Sequence, residues 1–168
     1  RRALARRDRL GLWEVAISEL IGLVESPGAG RDARRALLEV SRAQESEGQR
    51  DVILEVLVDY HRRASDAEGL INTLVVQAEF TPPGLERASV LRAAAVECLP
   101  YLDEAAEHPE EAQHAFSLYG QALYEAPDDA EALAAMRRIA ELLTLWPELS
   151  EAILMAVEAN TQEDQEVP

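Results

Sequence analysis

One cysteine and three histidines are the residues of this 168-residue chain with the widest chemical reach, and their spacing keeps them from acting together. Cys98 has no second thiol to pair with, and its neighbours complete no zinc set. It shares one helical face with Leu91, Ala95 and Leu102, the pattern of a small buried hydrophobe. His108 and His114 are six residues apart, which places them on opposite sides of a helix and rules out a metal pair. His61 is far from both, and each histidine is expected to be exposed or to cap a helix. The acid pairs Glu110-Glu111 and Asp128-Asp129 open helices, where capping and the helix dipole account for them. A glycosidase pair would need to flank a cleft instead. Gly28-Ala29-Gly30 has no strand before it and no lysine after it, so it is no phosphate loop. Ser18, Ser41, Ser89, Ser117 and Ser150 all fall inside helical patterns, without a nucleophile elbow. Trp13 and Trp146 each open a helix after a break and read as packing anchors. No catalytic, cofactor-binding or metal-binding residue is expected.

The elements that would position any site are helices. Apolar spacing of three and four gives eight, with cores near 12–25, 31–47, 50–64, 66–80, 84–102, 109–126, 129–144 and 147–160. Alanine and leucine, both strong helix formers, dominate the composition, and every basic residue is arginine. Ser26-Pro27-Gly28-Ala29-Gly30 and Thr81-Pro82-Pro83-Gly84 are loops. Pro109 and Pro147 suit a first helical turn, and Asp128 with Glu131 predicts a capping box. Pro100 should end its helix and leave a ragged turn over 101–106. The stripe Ala112, Ala115, Phe116, Tyr119, Ala122, Leu123 and Ala126 is the most continuous. Short loops make neighbouring helices antiparallel, and residues 161–168 should fray as an acidic tail beyond a single domain over 1–160.

Charge narrows the partners. The net charge of −16 is concentrated after residue 63: residues 1–63 carry 12 arginines and 11 acids, residues 64–168 carry 4 arginines and 21 acids. Such a skin repels phosphate backbones and disfavours nucleic acid. It would attract a basic protein, although solubility explains it equally well. No apolar stretch approaches the roughly 20 residues of a membrane span. The opening Arg1-Arg2-Ala3-Leu4-Ala5-Arg6-Arg7 reads as the tail of a helix under way, hence as part of a longer protein.

The sequence also echoes itself. The offset that lays Leu54 on Leu133 also lays Leu57 on Met136, Tyr60 on Ile139, Leu70 on Leu149 and Leu74 on Ile153. Helix pairs recurring about every 40 residues, here seen doubled, mark a stacked α-solenoid. Residues 109–142 resemble the tetratricopeptide repeat (TPR): Ala115, Tyr119, Ala122, Leu123 and Pro127 occupy its small, aromatic, small, apolar and closing-proline positions. Asp128-Asp129-Ala130 starts a further repeat, with Leu133 and Met136 in its early apolar positions. Arg137 stands where the family has a small residue, and residues 31–64 depart enough to lack one helix of the expected pairing. Such degenerate repeats are similar to those of long, acidic, arginine-rich repeat proteins of delta-proteobacteria, some linked to gliding motility.

The resemblance implies a right-handed all-α solenoid whose concave wall, formed by the first helix of each pair, cradles a peptide or helix of another protein. Those helices would be 31–47 or 50–64, then 84–102 and 129–144, with Arg34, Arg42, Asp59, Arg63, Arg92, Glu97, Arg137 and Arg138 as candidate groove residues. The expected function is a protein-interaction scaffold within a larger bacterial assembly, without cofactor. The alternative is a regulatory or sensor domain attached to an enzyme or a transcriptional activator.

Overall fold

The stripes of alanine and leucine fold as the spacing predicts. The computed structural model describes residues 2–100 and 102–163, with side chains at 12–44, 46–100 and 102–159. Among the described residues there are eight α-helices and no strand: α1 (Arg2–Leu23), α2 (Gly30–Ser41), α3 (Arg50–Ala64), α4 (Ala67–Phe80), α5 (Leu85–Cys98), α6 (Pro109–Glu125), α7 (Ala130–Leu143) and α8 (Trp146–Glu163). The protein is all-α.

Punctuation differs from expectation in four places. α2 stops at Ser41, and the chain runs through a 3-10 turn at Gln44–Gln49 before α3. The Ser46 hydroxyl, buried there, donates to the carbonyls of Val40 and Ala43, both at 2.7 Å. Pro100 does end α5, and the ragged turn beyond it is a 3-10 turn at Leu102–Glu104. Trp13 lies inside α1 rather than at its start, because the helix continues through Gly11. The α7 cap is Asp129, not Asp128: its Oδ1 accepts from the backbone N–H groups of Glu131 at 3.1 Å and Ala132 at 3.0 Å. Of the expected tail, residues 161–163 complete α8 and 164–168 lie outside the described residues.

The chain divides into two compact units, Arg1–Val76 and Gln77–Pro168. In the first, α1, α2 and α3 pack around Ile17, Val24, Leu37, Ile53 and Leu57, with Trp13, Leu20, Leu38 and Tyr60 against them. In the second, α6 packs on α5, α7 and α8. Alanines supply much of that core: Ala94 and Ala95 of α5, Ala112, Ala115 and Ala122 of α6, and Ala132 and Ala140 of α7 are fully buried. Side chains this small let helix backbones approach closely.

The internal echo is structural. Ser65 and Thr144, which the same offset superposes, are the only non-glycine residues with positive φ among those described, at 52° and 59°. Each closes a helix in the left-handed conformation, after α3 and after α7. Gly30 and Pro109, which begin α2 and α6, keep this offset, as do Ala67 and Trp146, which begin α4 and α8. Three consecutive helices therefore recur in register. Leu57 and Met136, at matching positions of α3 and α7, are both completely buried.

Candidate functional site

The residues that α5 and α7 leave toward solvent define a groove in the second unit. Ser89, Arg92, Ala93 and Val96 recur at helical spacing along α5 and form one wall. Glu131, Ala134 and Ala135 of α7 form the other, Tyr119 of α6 lies between them, and Leu102 of the 3-10 turn adds an apolar contact. The space is about 520 Å³. It stays open because four of its nine lining residues are serine or alanine.

Its lining carries one cation, Arg92, and one acid, Glu131. The Arg92 Nη1 lies 2.6 Å from Glu131 Oε2 and 3.2 Å from Asp129 Oδ1, the oxygen that also caps α7. Nearby, Arg138 meets Asp103 at 2.7 Å and Glu141 at 2.9 Å. Two arginines thus stand against four carboxylates. Burial raises the Tyr119 hydroxyl above its ordinary pKa of 10.0, with Arg92 opposing, so the phenol stays neutral. Removing the cap by Asp129→Ala should cost about 1–2 kcal/mol in urea unfolding, and Asp129→Asn should retain most of it.

The candidate groove residues are divided between the two units, four in each. Arg92 lines this groove. Glu97 follows Val96 on α5, half-buried, while Arg137 is exposed on α7 and Arg138 is committed to the Asp103 and Glu141 carboxylates. The other four belong to the first unit. There Arg34 donates from Nη1 to the Val24 carbonyl at 2.6 Å, with its guanidinium carbon 4.0 Å from the centre of the Tyr60 ring. Arg63 pairs with Glu25 at 2.6 Å, and Arg42 and Asp59 are exposed.

Sequence reasoning missed Ser89, Ala93, Val96, Glu131, Ala134 and Ala135, because small residues on a helix announce nothing individually. It also missed Glu125. This acid sits at the end of α6, where the helix dipole disfavours it, and that anomaly is the available signal. Its carboxylate takes a cation and an N–H: Arg87 Nη1 at 3.0 Å and the Gly84 backbone N–H at 2.9 Å. Gly84, with φ of 105°, adopts a backbone that side chains rarely tolerate.

Cys98 and His61 bear on chemistry. The Cys98 thiol, 3.5 Å from His114 Nδ1, is pushed up to about 11 by burial and then by Glu97. It is a neutral thiol at physiological pH, so alkylation of the folded protein should be slow and should become fast only on unfolding; labelling with iodoacetamide checks this. His61 is not the exposed or capping residue expected from sequence. It is buried, 7% exposed, with Nδ1 2.8 Å from Asp66 Oδ2. The pocket exists because Ser65 turns the chain back in the left-handed conformation, bringing Asp66 over the ring.

Asp66 Oδ1 also accepts from the Gly69 N–H at 3.0 Å, and this bond, helped by His61 and Arg34, holds its carboxyl below the ordinary 3.8 despite opposing desolvation. Its stabilising contribution is full above 3.8 and is lost as pH falls from there through the lowered folded value. Acid unfolding should therefore be less steep in Asp66→Asn than in the parent over that window.

Among the described residues no helix is long and apolar enough to cross a membrane, and no three His, Cys, Asp or Glu side chains gather as a metal site. Comparison with protein-family models, curated proteins and solved structures gave no match. The groove and its chemistry alone carry the functional reading.

Proposed function

We propose that the chain is a protein-interaction scaffold, a TPR-like segment of a right-handed helical-repeat solenoid that organises a larger bacterial assembly by holding a partner segment between α5 and α7. The observation that carries this reading is the groove itself. Two helices separated by α6 in the sequence present facing walls of small side chains, with an aromatic between them and charge at the rim. A space of about 520 Å³ is the size of a side-chain cluster from a bound peptide, and the apolar lining would supply affinity while the rim selects. The recurrence of α2, α3 and α4 as α6, α7 and α8 supports the repeat character, since duplicated helix groups are how such proteins are built.

A displayed peptide library selected against the protein tests the reading. Binders should be recovered, and they should lose binding to Ala134→Trp, which fills the groove from a helix position outside the buried core. Circular dichroism should show the variant as helical as the parent. Peptides that bind both proteins equally, or a selection that yields none, would remove the groove from the account.

A further inference from the structure

Two arginines stand along the groove of the second unit, and each is shared between two carboxylates. Arg92 Nη1 lies 2.6 Å from Glu131 Oε2 and 3.2 Å from Asp129 Oδ1. Arg138 follows the lining residue Ala135 by one turn, on the same face of α7 as Glu131, and is shared between Asp103 and Glu141. Asp103 in turn follows Leu102, another lining residue. The four acids are not equally committed. Asp129, with 11% of its side chain exposed, is fixed as the α7 cap, whereas the Glu131 side chain is 80% exposed. Asp103 and Glu141 are exposed too. A carboxylate has about four lone-pair sites, so each exposed acid can accept from a second donor.

The rest of the unit favours the same sign of partner. Residues 77–168 carry 19 acids and 4 arginines, and Arg87, Arg92 and Arg138 are already on carboxylates. An anionic segment would meet a repelling field and engaged cations, while a cationic one would be drawn in. Exchange at Glu131 leaves no charge unpaired, because Arg92 keeps Asp129 when a ligand cation takes Glu131. Ala93, Val96, Leu102 and Ala134 of the lining offer a surface to an apolar side chain. Along α7, Glu131 and Arg138 are seven residues apart, about 10 Å. An extended chain turns every second side chain to one face at about 7 Å spacing, so two residues flanking a third stand about 13 Å apart. Flexible lysine or arginine stems take up the difference. Resting on the groove as the place that holds a partner segment, we propose that the segment is basic and extended. It sets one apolar side chain into the groove between two lysines or arginines. One of these takes Glu131, and the other takes Asp103 and Glu141.

A displayed library of random peptides, selected on the 168-residue chain at low salt, tests this with two separate readouts. Loss of binding to Ala134→Trp reports the groove itself. The sequences of the peptides so lost report the occupant, and they should carry lysine or arginine two positions to either side of an apolar residue. Their affinity should fall several-fold as sodium chloride is raised from about 0.05 to about 0.5 M. Glu131→Gln should weaken binding about three- to fivefold, the worth of one exposed ion pair, and Glu141→Gln should do the same at the other end. Arg92→Gln should tighten binding, because Asp129 and Glu131 lose the cation that competes with the ligand. An acidic segment would reverse the signs at Glu131 and Arg92. Circular dichroism should show the variants folded. Groove-dependent peptides that are acidic or uncharged, a Glu131→Gln variant that binds no more weakly than the parent, or a folded Arg92→Gln variant that binds more weakly would overturn the basic occupant and leave the groove standing. Peptides indifferent to Ala134→Trp, or none at all, would overturn both.

Discussion

Tyr119→Ala should lower the free energy of unfolding by about 3–4 kcal/mol, the usual cost of emptying a buried aromatic site. Tyr119 is 4% exposed and lies in α6, the helix against which α5, α7 and α8 all pack. Its truncation opens a void on the side where fully buried alanines already leave little material to move in. A small neighbour cannot collapse into a cavity as a leucine might, so relaxation recovers little. Tyr119→Phe keeps the ring and should retain most of the stability. Urea unfolding followed by circular dichroism reads both. A parent-like midpoint for Tyr119→Ala would mean that α6 does not centre this core.

Gly69→Ala should be destabilising by about 2–3 kcal/mol, through overpacking. The sign is informative because glycine to alanine inside a helix ordinarily gains up to about 1 kcal/mol. At Gly69 the added methyl would overlap the His61 ring and lie 2.6 Å from Asp66 Oδ2. The ring cannot step aside: it is buried, and Asp66 holds it at 2.8 Å. Gly120 in α6 is the control. A methyl there would meet the Met136 Cε at 3.5 Å and the Ala152 Cβ at 4.0 Å, ordinary contacts, so Gly120→Ala should be neutral or stabilising. Equal midpoints for the two alanine variants would show that the His61 pocket is not tightly packed.

These two residues also mark what the sequence makes legible. Tyr119 stood out because its stripe is periodic and uninterrupted, and periodicity is what burial of one helix face imposes. Proline punctuation located the starts of α6 and α8 and the end of α5 for the same local reason. His61 was not legible. Its burial depends on the left-handed turn at Ser65, a residue type with no special liking for that conformation, and on a carboxylate five residues further on. Asp128 and Asp129 are chemically equivalent as caps, and only the path of the chain chooses between them. Arg92 looked available for a partner because the acids that meet it, Asp129 and Glu131, lie 37 and 39 residues away. Side chains of no individual distinction become a groove once two helices far apart in sequence lie across from each other.

The matched left-handed corners at Ser65 and Thr144 bear on how a chain like this can change length. Cutting out or copying the stretch from one corner to the other joins the end of one helix to a linker that already knows how to follow it. A cut that joined unmatched positions inside two helices would throw the apolar stripe of the joined helix out of phase. Growth and shrinkage by this block is therefore a route that keeps each helix end and its linker intact.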